Sequence, residues 1–234
     1  LEYCDLLQAD GAGELAALSC AVTNNESYFF REVYQFDAFF GPALADLKAG
    51  SATPGVLRVL CAGCSNGEEP YTLSIMGKEH QYRMWDCALQ VDAIDIDETC
   101  LATARAAEYG TASLRSVTAE QRARYFNQVN GTERWQLKPV FRVGVTCQRG
   151  NIVEVETYRK PLRYDVVFCR NVLIYFSEPA LRRAVENFSQ VLRPGGLLFL
   201  GHSESILGLG GAFEPVRLDS FIAYRRTGAR RTRP

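Results

Sequence analysis

From residue 56 onward, short apolar runs alternate with segments patterned like helices, and that alternation leaves few folds open. Val56 to Cys61 reads as a buried strand ending in a glycine-containing turn, and residues 68 to 79 follow as a helix. Leu89 to Ile96 is a second strand, after which Asp97 caps a helix that runs to about Tyr109 and is stopped by Gly110. Tyr164 to Cys169 is again a buried strand. Ser177 to Leu192 is an amphipathic helix ended by Arg193-Pro194-Gly195-Gly196, and Leu197 to Gly201 is a further strand. Phe213 to Tyr224 closes the pattern as antiparallel edge strands. Strand and helix at this spacing predict an α/β fold: a doubly wound, mostly parallel sheet covered on both faces, with ligands at the carboxyl ends of the strands.

One stretch breaks the alternation. Thr118 with Gln121 forms a capping box that opens a short helix to about Phe126. Asn130-Gly131 and the alternation of Trp135-Gln136-Leu137-Lys138 then predict a small antiparallel β insertion over residues 130 to 148.

Composition bounds the function classes. The 234 residues make one sizeable core, and 26 basic against 27 acidic side chains leave a net charge of -1, so no global charge excess would hold the chain on nucleic acid or an anionic membrane. No apolar run approaches the roughly 20 residues that span a bilayer, and no secretory leader is legible, so a cytoplasmic protein is expected. It is also expected to act as a monomer. The eight cysteines lie mostly inside apolar runs and are expected as reduced thiols. Cys61 and Cys64 form a C-x-x-C, but with no second pair and only His80 and His202 in the chain, no metal site is expected. The run Arg225, Arg226, Arg230, Arg231 and Arg233 reads as a frayed, solvated end, with 227–234 expected as a disordered basic tail.

Chemistry is carried where the first two strands end. In the turn Ala62-Gly63-Cys64-Ser65-Asn66-Gly67, the glycines permit close backbone approach to a ligand. Glu68-Glu69 follow at the start of the helix, where a dinucleotide would place its anionic pyrophosphate, so the pocket prefers a cationic group. Acids in a first turn also complement a helix dipole whatever the ligand. Asp95 ends the second strand, where doubly wound folds place an acid on ribose hydroxyls, although a polar residue can equally just cap a strand. It stands farther beyond Gly63 than the roughly 20 residues of the dinucleotide fingerprint. A ribose-bearing ligand with an ammonium group and no phosphates fits better, and S-adenosylmethionine answers that description.

Five motifs then carry a resemblance. They are Thr23 to Glu32 (TNNESYFFRE), Ala62 to Tyr71 (AGCSNGEEPY), Ala93 to Asp97 (AIDID), Phe168 to Phe176 (FCRNVLIYF), and Leu192 to Gly196 with Gly201 to Ser205 (LRPGG and GHSES). With these the chain resembles the CheR-type chemoreceptor glutamate methyltransferases of bacterial sensory pathways, over residues 23 to about 224. The resemblance implies a Rossmann-like class I methyltransferase domain at 23–226, using S-adenosylmethionine and releasing S-adenosylhomocysteine, with the cytoplasmic domain of a chemoreceptor-like protein as partner. Residues 1–22 would be the end of an N-terminal helical domain or a linker, with a helix at Glu14 to Cys20. Carried over residue by residue, the family pattern places Asn25, Ser27 and Arg31 in the cofactor and catalytic pocket, with Ser27 standing where Thr is more usual. It places Gly63 in the cofactor turn, Glu69 on the methionyl amino group, Asp95 on the ribose, Asn151-Ile152 near the adenine, and Arg170-Asn171 in the cofactor wall. Tyr175 falls beside the transferring methyl, and Arg31 and Tyr175 are the catalytic pair. Phe29, Phe30 and Tyr175 are expected as the aromatic walls of a water-excluding pocket. Two other functions stay open: a degenerate module that binds S-adenosylmethionine or its product as a sensor or adaptor, and a methyltransferase for a small carboxylic acid.

Overall fold

The computed structural model of the chain describes residues 26–49, 55–84, 86–159, 164–209, 211–219 and 221–228. The expected helix at Glu14 to Cys20, Asn25 and the arginines beyond residue 228 lie outside the described residues.

The described chain opens with two short helices, α1 (Val33–Ala38) and α2 (Leu44–Ala49), joined by a π-type turn at Phe39–Ala43. Then follow β1 (Val56–Ala62), α3 (Glu68–Glu79), β2 (Ala88–Asp95), α4 (Glu98–Ala106), β3 (Glu108–Tyr109), α5 (Ala119–Tyr125), β4 (Phe126–Gln128) and β5 (Trp135–Leu137). The remainder is β6 (Val145–Arg149), β7 (Tyr164–Cys169), α6 (Glu178–Val191), β8 (Leu192–Leu200), β9 (Phe213–Leu218) and β10 (Phe221–Arg226). A seven-stranded sheet runs β6-β2-β1-β7-β8-β10-β9, parallel as far as β8 and antiparallel at β10 and β9. The strand order reverses at β1, so a crevice opens between the carboxyl ends of β1 and β7.

The central strand β7 and the second half of β8 are apolar without alternation because both faces are covered. Val59, Cys61, Val166, Phe168, Leu197 and Phe199 face one core with Phe36, Phe39 and Leu47 from the N-terminal helices. Their neighbours Leu60, Ala62, Val167, Cys169, Leu198 and Leu200 face the other, against Phe188 and Val191 of α6. Phe168 stacks on Phe199 at 4.5 Å and on Phe36 at 5.5 Å, which fixes α1 over the carboxyl end of β7. The helices α1 and α2 were not legible as a pattern because Gly41 and Pro42 interrupt the 3.6-residue period between them.

Local signals set most boundaries. Asp97 caps α4 by accepting from the N–H groups of Thr99 (2.8 Å) and Cys100 (3.3 Å), and Thr118 and Gln121 form the reciprocal capping box of α5. Helix α4 ends short of the expected Tyr109, because buried Ala107 turns left-handed at φ 54° and carries the chain into β3. The β8 strand begins at Leu192 rather than Leu197. Arg193-Pro194-Gly195-Gly196 form a bulge in the sheet, where the Arg193 guanidinium pairs with buried Asp165 and donates to the Leu47 carbonyl at 2.6 Å.

The antiparallel insertion is real but only its central strand, Trp135–Leu137, falls within residues 130 to 148; the other two precede it. Its three strands are β3, β5 and β4, in that order, and they pack Tyr109, Phe126 and Leu137 against Phe29, Tyr71 and Ile75. Val145–Arg149 instead pairs parallel with β2, Val91 opposite Val145 and Asp95 opposite Arg149. Gly144 makes this possible: its φ is 84°, its carbonyl accepts the Val91 N–H at 2.8 Å, and a Cβ there would sit 2.7 Å from the Leu89 carbonyl oxygen. No helix among the described residues is long and apolar enough to cross a membrane.

Candidate active site

The turn after β1 closes on the end of β2. Gly63 and Cys64 donate their N–H groups to the Ile94 carbonyl at 2.9 and 3.0 Å, and Ser65 N–H donates to Asp95 Oδ2 at 2.7 Å. Asp95 Oδ1 accepts from Asp97 N–H at 2.9 Å. Both oxygens of Asp95 are thus held by the backbone, and a carboxylate's lone pairs leave acceptor capacity for a ligand as well. Burial pushes the Asp95 carboxyl above its usual range, only partly offset by those N–H groups. Gly63 must be glycine on two grounds: its φ is 83°, and a Cβ would stand 2.5 Å from Val172 Cγ2 in the loop after β7.

Beside this turn lies a buried charge cluster. The Arg170 guanidinium, its side chain 2% exposed, donates to Glu69 Oε2 at 3.0 Å, meets Glu32 Oε2 at 3.3 Å, and donates to the Arg31 carbonyl at 2.6 Å. It lies 4.9 Å from the centre of the Phe36 ring. Glu32 Oε1 is 2.7 Å from His202 Nδ1. Burial works against ionisation of Glu32, but the His202 hydrogen bond and the Arg170 charge outweigh it and hold the carboxyl below its usual range. For Glu69 the balance is reversed: burial raises it, and Arg170 offsets only part. Two carboxylates share one guanidinium, so the cluster has negative charge left over for a cationic group.

The neighbouring Glu68 is fully buried beside the Ser27 and Ser113 hydroxyls. Burial raises its pKa from the ordinary 4.5, with the Ser113 and Ser27 hydroxyls pulling the other way. A carboxyl raised in the folded state binds more protons than in the unfolded one, so its contribution to stability is full below pH 4.5 and is lost as pH rises through the folded value. Glu68→Gln is expected to flatten that loss, which approaches about 1.4 kcal/mol per pH unit inside the window. Urea unfolding of both proteins at a series of pH values checks this; parallel curves would show that Glu68 is not the group involved.

A cavity of about 520 Å³ opens where these loops meet, a volume in the range of small-molecule sites. Gly63, Asp95, Asn151, Ile152, Asn171 and Tyr175 line it, joined by Ile96, Val153, Val172 and Phe176. The Asn151-Ile152 corner is pinned: Asn151 Nδ2 donates to Glu154 at 3.0 Å, and the Ile152 carbonyl accepts from Tyr158 Oη at 2.9 Å and Asn187 Nδ2 at 3.0 Å. Phe30, Glu32, Ser65 and Asn171 are non-glycine residues with positive φ, and they cluster on the loops around this site.

Residues 25–222 match the family model described as CheR methyltransferase, SAM binding domain. The chain belongs to the CheR methyltransferase family. It is 34% identical over 229 residues to chemotaxis protein methyltransferase 1 of Pseudomonas aeruginosa, covering 96% of this chain and 82% of that protein. It is 35% identical over 219 residues to chemotaxis protein methyltransferase 2 of Vibrio cholerae, covering 93% and 74%. Among solved structures, the N-methyltransferase NodS of Bradyrhizobium japonicum WM9 with S-adenosyl-L-homocysteine is 15% identical, covers 82% of this chain and 87% of that one, and has a TM-score of 0.45.

This CheR domain is an S-adenosylmethionine-dependent methyltransferase, and its residues suit that cofactor. The cavity ends in an acid with spare acceptor capacity, and a buried cluster with surplus negative charge stands next to it. Of the residues expected from sequence, Gly63, Asp95, Asn151, Ile152, Asn171 and Tyr175 come together in the cavity, with Glu69 and Arg170 in the adjoining cluster. Arg31 stands apart: its guanidinium donates to the Glu26 carbonyl at 2.9 Å and lies 5.7 Å from the centre of the Tyr28 ring, leaving only its own carbonyl in the cluster. Ser27 is half-buried near Glu68 rather than in the cavity. Phe29 is not a wall; it is fully buried, edge-on to Tyr109 at 4.8 Å and Phe126 at 5.1 Å. Glu32 and His202 carried no expected role. Both sit inside the quoted motifs, and their acid and imidazole were the available signal. Cys61 and Cys64 are buried thiols held far above the usual range by burial, next to Glu69 and Asp95 respectively.

Proposed function

We propose that this CheR domain transfers a methyl group from S-adenosylmethionine to glutamate side-chain carboxylates in the cytoplasmic domain of a chemoreceptor, giving glutamate methyl esters. The observation that carries the reading is the pairing of Asp95, at the end of β2, with the Glu69–Arg170–Glu32 cluster beside it. This pairing supplies an acceptor for a ribose in the cavity wall and acceptors for an ammonium in the cluster beside the cavity. Asp95 receives the ribose hydroxyls, Asn151 and Ile152 flank the adenine, Glu69 receives the amino group, and Gly63, Arg170 and Asn171 form the wall. The family resemblance adds Asn25 and Ser27 to the binding residues, Ser27 from its place beside Glu68.

The cofactor supplies an electrophilic methyl on a positively charged sulfur. The acceptor carboxylate is already ionised near neutral pH, with a reference pKa of about 4.3, so no general base is required. The new O–CH3 bond forms as the S–CH3 bond breaks, and both formal charges vanish, so exclusion of water speeds the step. Tyr175, 60% exposed at the cavity mouth, borders the methyl. Arg31 aligns the acceptor carboxylate in line, which requires its guanidinium to leave the Glu26 carbonyl. The domain works as a monomer in the cytoplasm, without nucleic acid. The relatives named as chemotaxis protein methyltransferases favour a receptor over a small carboxylic acid as the acceptor.

The test is calorimetric titration of S-adenosylhomocysteine into wild type, Asp95→Ala and Arg31→Ala. Asp95→Ala is expected to weaken binding by about 100-fold or more, since two backbone donors and the ribose hydroxyls lose their acceptor together. Arg31→Ala is expected to bind normally and to lose most methyl transfer to a receptor cytoplasmic fragment. Equal affinity in wild type and Asp95→Ala would remove the nucleoside from this cavity.

A further inference from the structure

We infer that Glu204 is the positioning residue of this active site: its carboxylate holds the loop after β7 in the shape that puts Asn171, Val172 and Tyr175 into the cavity. The inference rests on the reading of the cavity given under Proposed function.

The Glu204 side chain is not in the cavity wall. It projects from the loop after β8 into the main chain of the neighbouring loop. Oε2 accepts from the N–H groups of Asn171 at 2.8 Å and Gly201 at 2.7 Å. Oε1 accepts from Val172 at 2.8 Å and Leu173 at 2.7 Å, and more distantly from Ile174 at 3.4 Å. Consecutive backbone donors from 171 to 174 thus converge on one carboxylate, at the start of the 3-10 turn Leu173–Tyr175, whose first N–H groups have no partner within the turn.

The loop needs such a hold. Asn171 has φ 60°, a left-handed conformation that costs a non-glycine residue and persists only where its surroundings enforce it. The loop is also in main-chain contact on both sides. A Cβ on Gly63 would strike Val172 Cγ2 at 2.5 Å, and a Cβ on Gly201 would stand 2.8 Å from Asn171 Nδ2 and 2.9 Å from its backbone nitrogen. Glu204 therefore acts through the residues it orders. A carboxylate suits the position because both of its oxygens are acceptors and it has no donor. A glutamine of the same shape would turn an NH2 toward one set of N–H groups.

The experiment compares wild type with Glu204→Gln by residue-resolved amide hydrogen exchange, with and without saturating S-adenosylhomocysteine, and by titration of that ligand. In wild type, the amides of Val172 and Leu173 are expected to exchange as slowly as those of neighbouring β7; exchange at open-loop rates would overturn the inference without any variant. In Glu204→Gln the amides of 171 to 174 should exchange about tenfold or more faster while β7 and β8 stay protected, and affinity should fall about tenfold or more. Linkage then requires the ligand to restore protection at 171 to 174, a response that a merely structural carboxylate would not give. Faster exchange with unchanged affinity would reduce Glu204 to a loop staple and sink its positioning role. Should Glu204→Gln fail to fold, Glu204→Asp keeps the charge on a shorter arm, and the same local loosening is expected. Absence of saturable binding in wild type would instead strike the reading of the cavity, and is told apart because it requires no variant.

Discussion

Arg170→Met is expected to destabilise the domain by about 3 to 5 kcal/mol, the cost of leaving two partly buried carboxylates without their buried counter-charge. The guanidinium is 2% exposed and bridges Glu69 and Glu32, which no other arginine or lysine reaches among the described ion pairs. Methionine fills much of the same volume against the Phe36 ring, so the loss measures charge rather than a cavity. The pH dependence changes with it, because Arg170 acts on both carboxyls. In wild type, Glu32 is held below its ordinary 4.5, so its contribution is present above that value and is lost as pH falls through the folded value. In Arg170→Met the Glu69 carboxyl loses the charge that offsets its burial and rises further, while Glu32 keeps only His202, so stability is lost more steeply as pH rises. Urea unfolding at pH 5 and pH 8 reads both effects, and a loss under about 1 kcal/mol at pH 8 would show that the two acids are not uncompensated charges.

This cluster also marks the limit of what the chain reveals before it is folded. Helix α3 at Glu68–Glu79 and strand β7 at Tyr164–Cys169 stand where the pattern predicts them, because each is written locally: a glycine turn followed by a helix in one case, an unbroken apolar run in the other. Asp95 was legible for the same reason, as an acid at the end of a strand in a fold whose ligands bind at strand ends. Strand β6 was not. Val145–Arg149 has too few residues to show a period, and what makes it a strand of the large sheet is its pairing with β2, a partner distant in sequence. The Arg170 pairs and the Glu204 hold belong to the same class, since each joins residues that share no local motif and meet only when β1, β7 and β8 align. The resemblance to a family supplied Glu69 and Arg170 individually; that they bind each other, with Glu32 as the third member, is a property of the fold. Phe29 fails in the opposite direction. Its place in an aromatic run beside Arg31 suggested a pocket wall, yet a ring that size next to Tyr109 and Phe126 is worth more in the core.

Glu69→Gln is expected to lower S-adenosylhomocysteine affinity by about 10- to 100-fold and to remove a proton from the binding equilibrium. Burial raises the Glu69 carboxyl despite Arg170, so in the empty site it holds its proton to a higher pH than an ordinary glutamate does. An ammonium needs the ionised form, so in wild type binding expels that proton, and affinity falls as pH drops through the raised value. Gln cannot ionise, so the variant binds weakly at every pH and without that release. Asp95 is the control within the same cavity, because burial raises its carboxyl too and a ribose prefers it ionised. Calorimetry in two buffers of different ionisation enthalpy, repeated from pH 5 to pH 8, counts the protons. If Glu69→Gln released as many as wild type, the titrating group would be Asp95 and the ammonium would have to be placed elsewhere. If the release vanished while affinity fell, Glu69 would be the group that meets the cation, and Arg170 would be what keeps it partly ionised until the cation arrives.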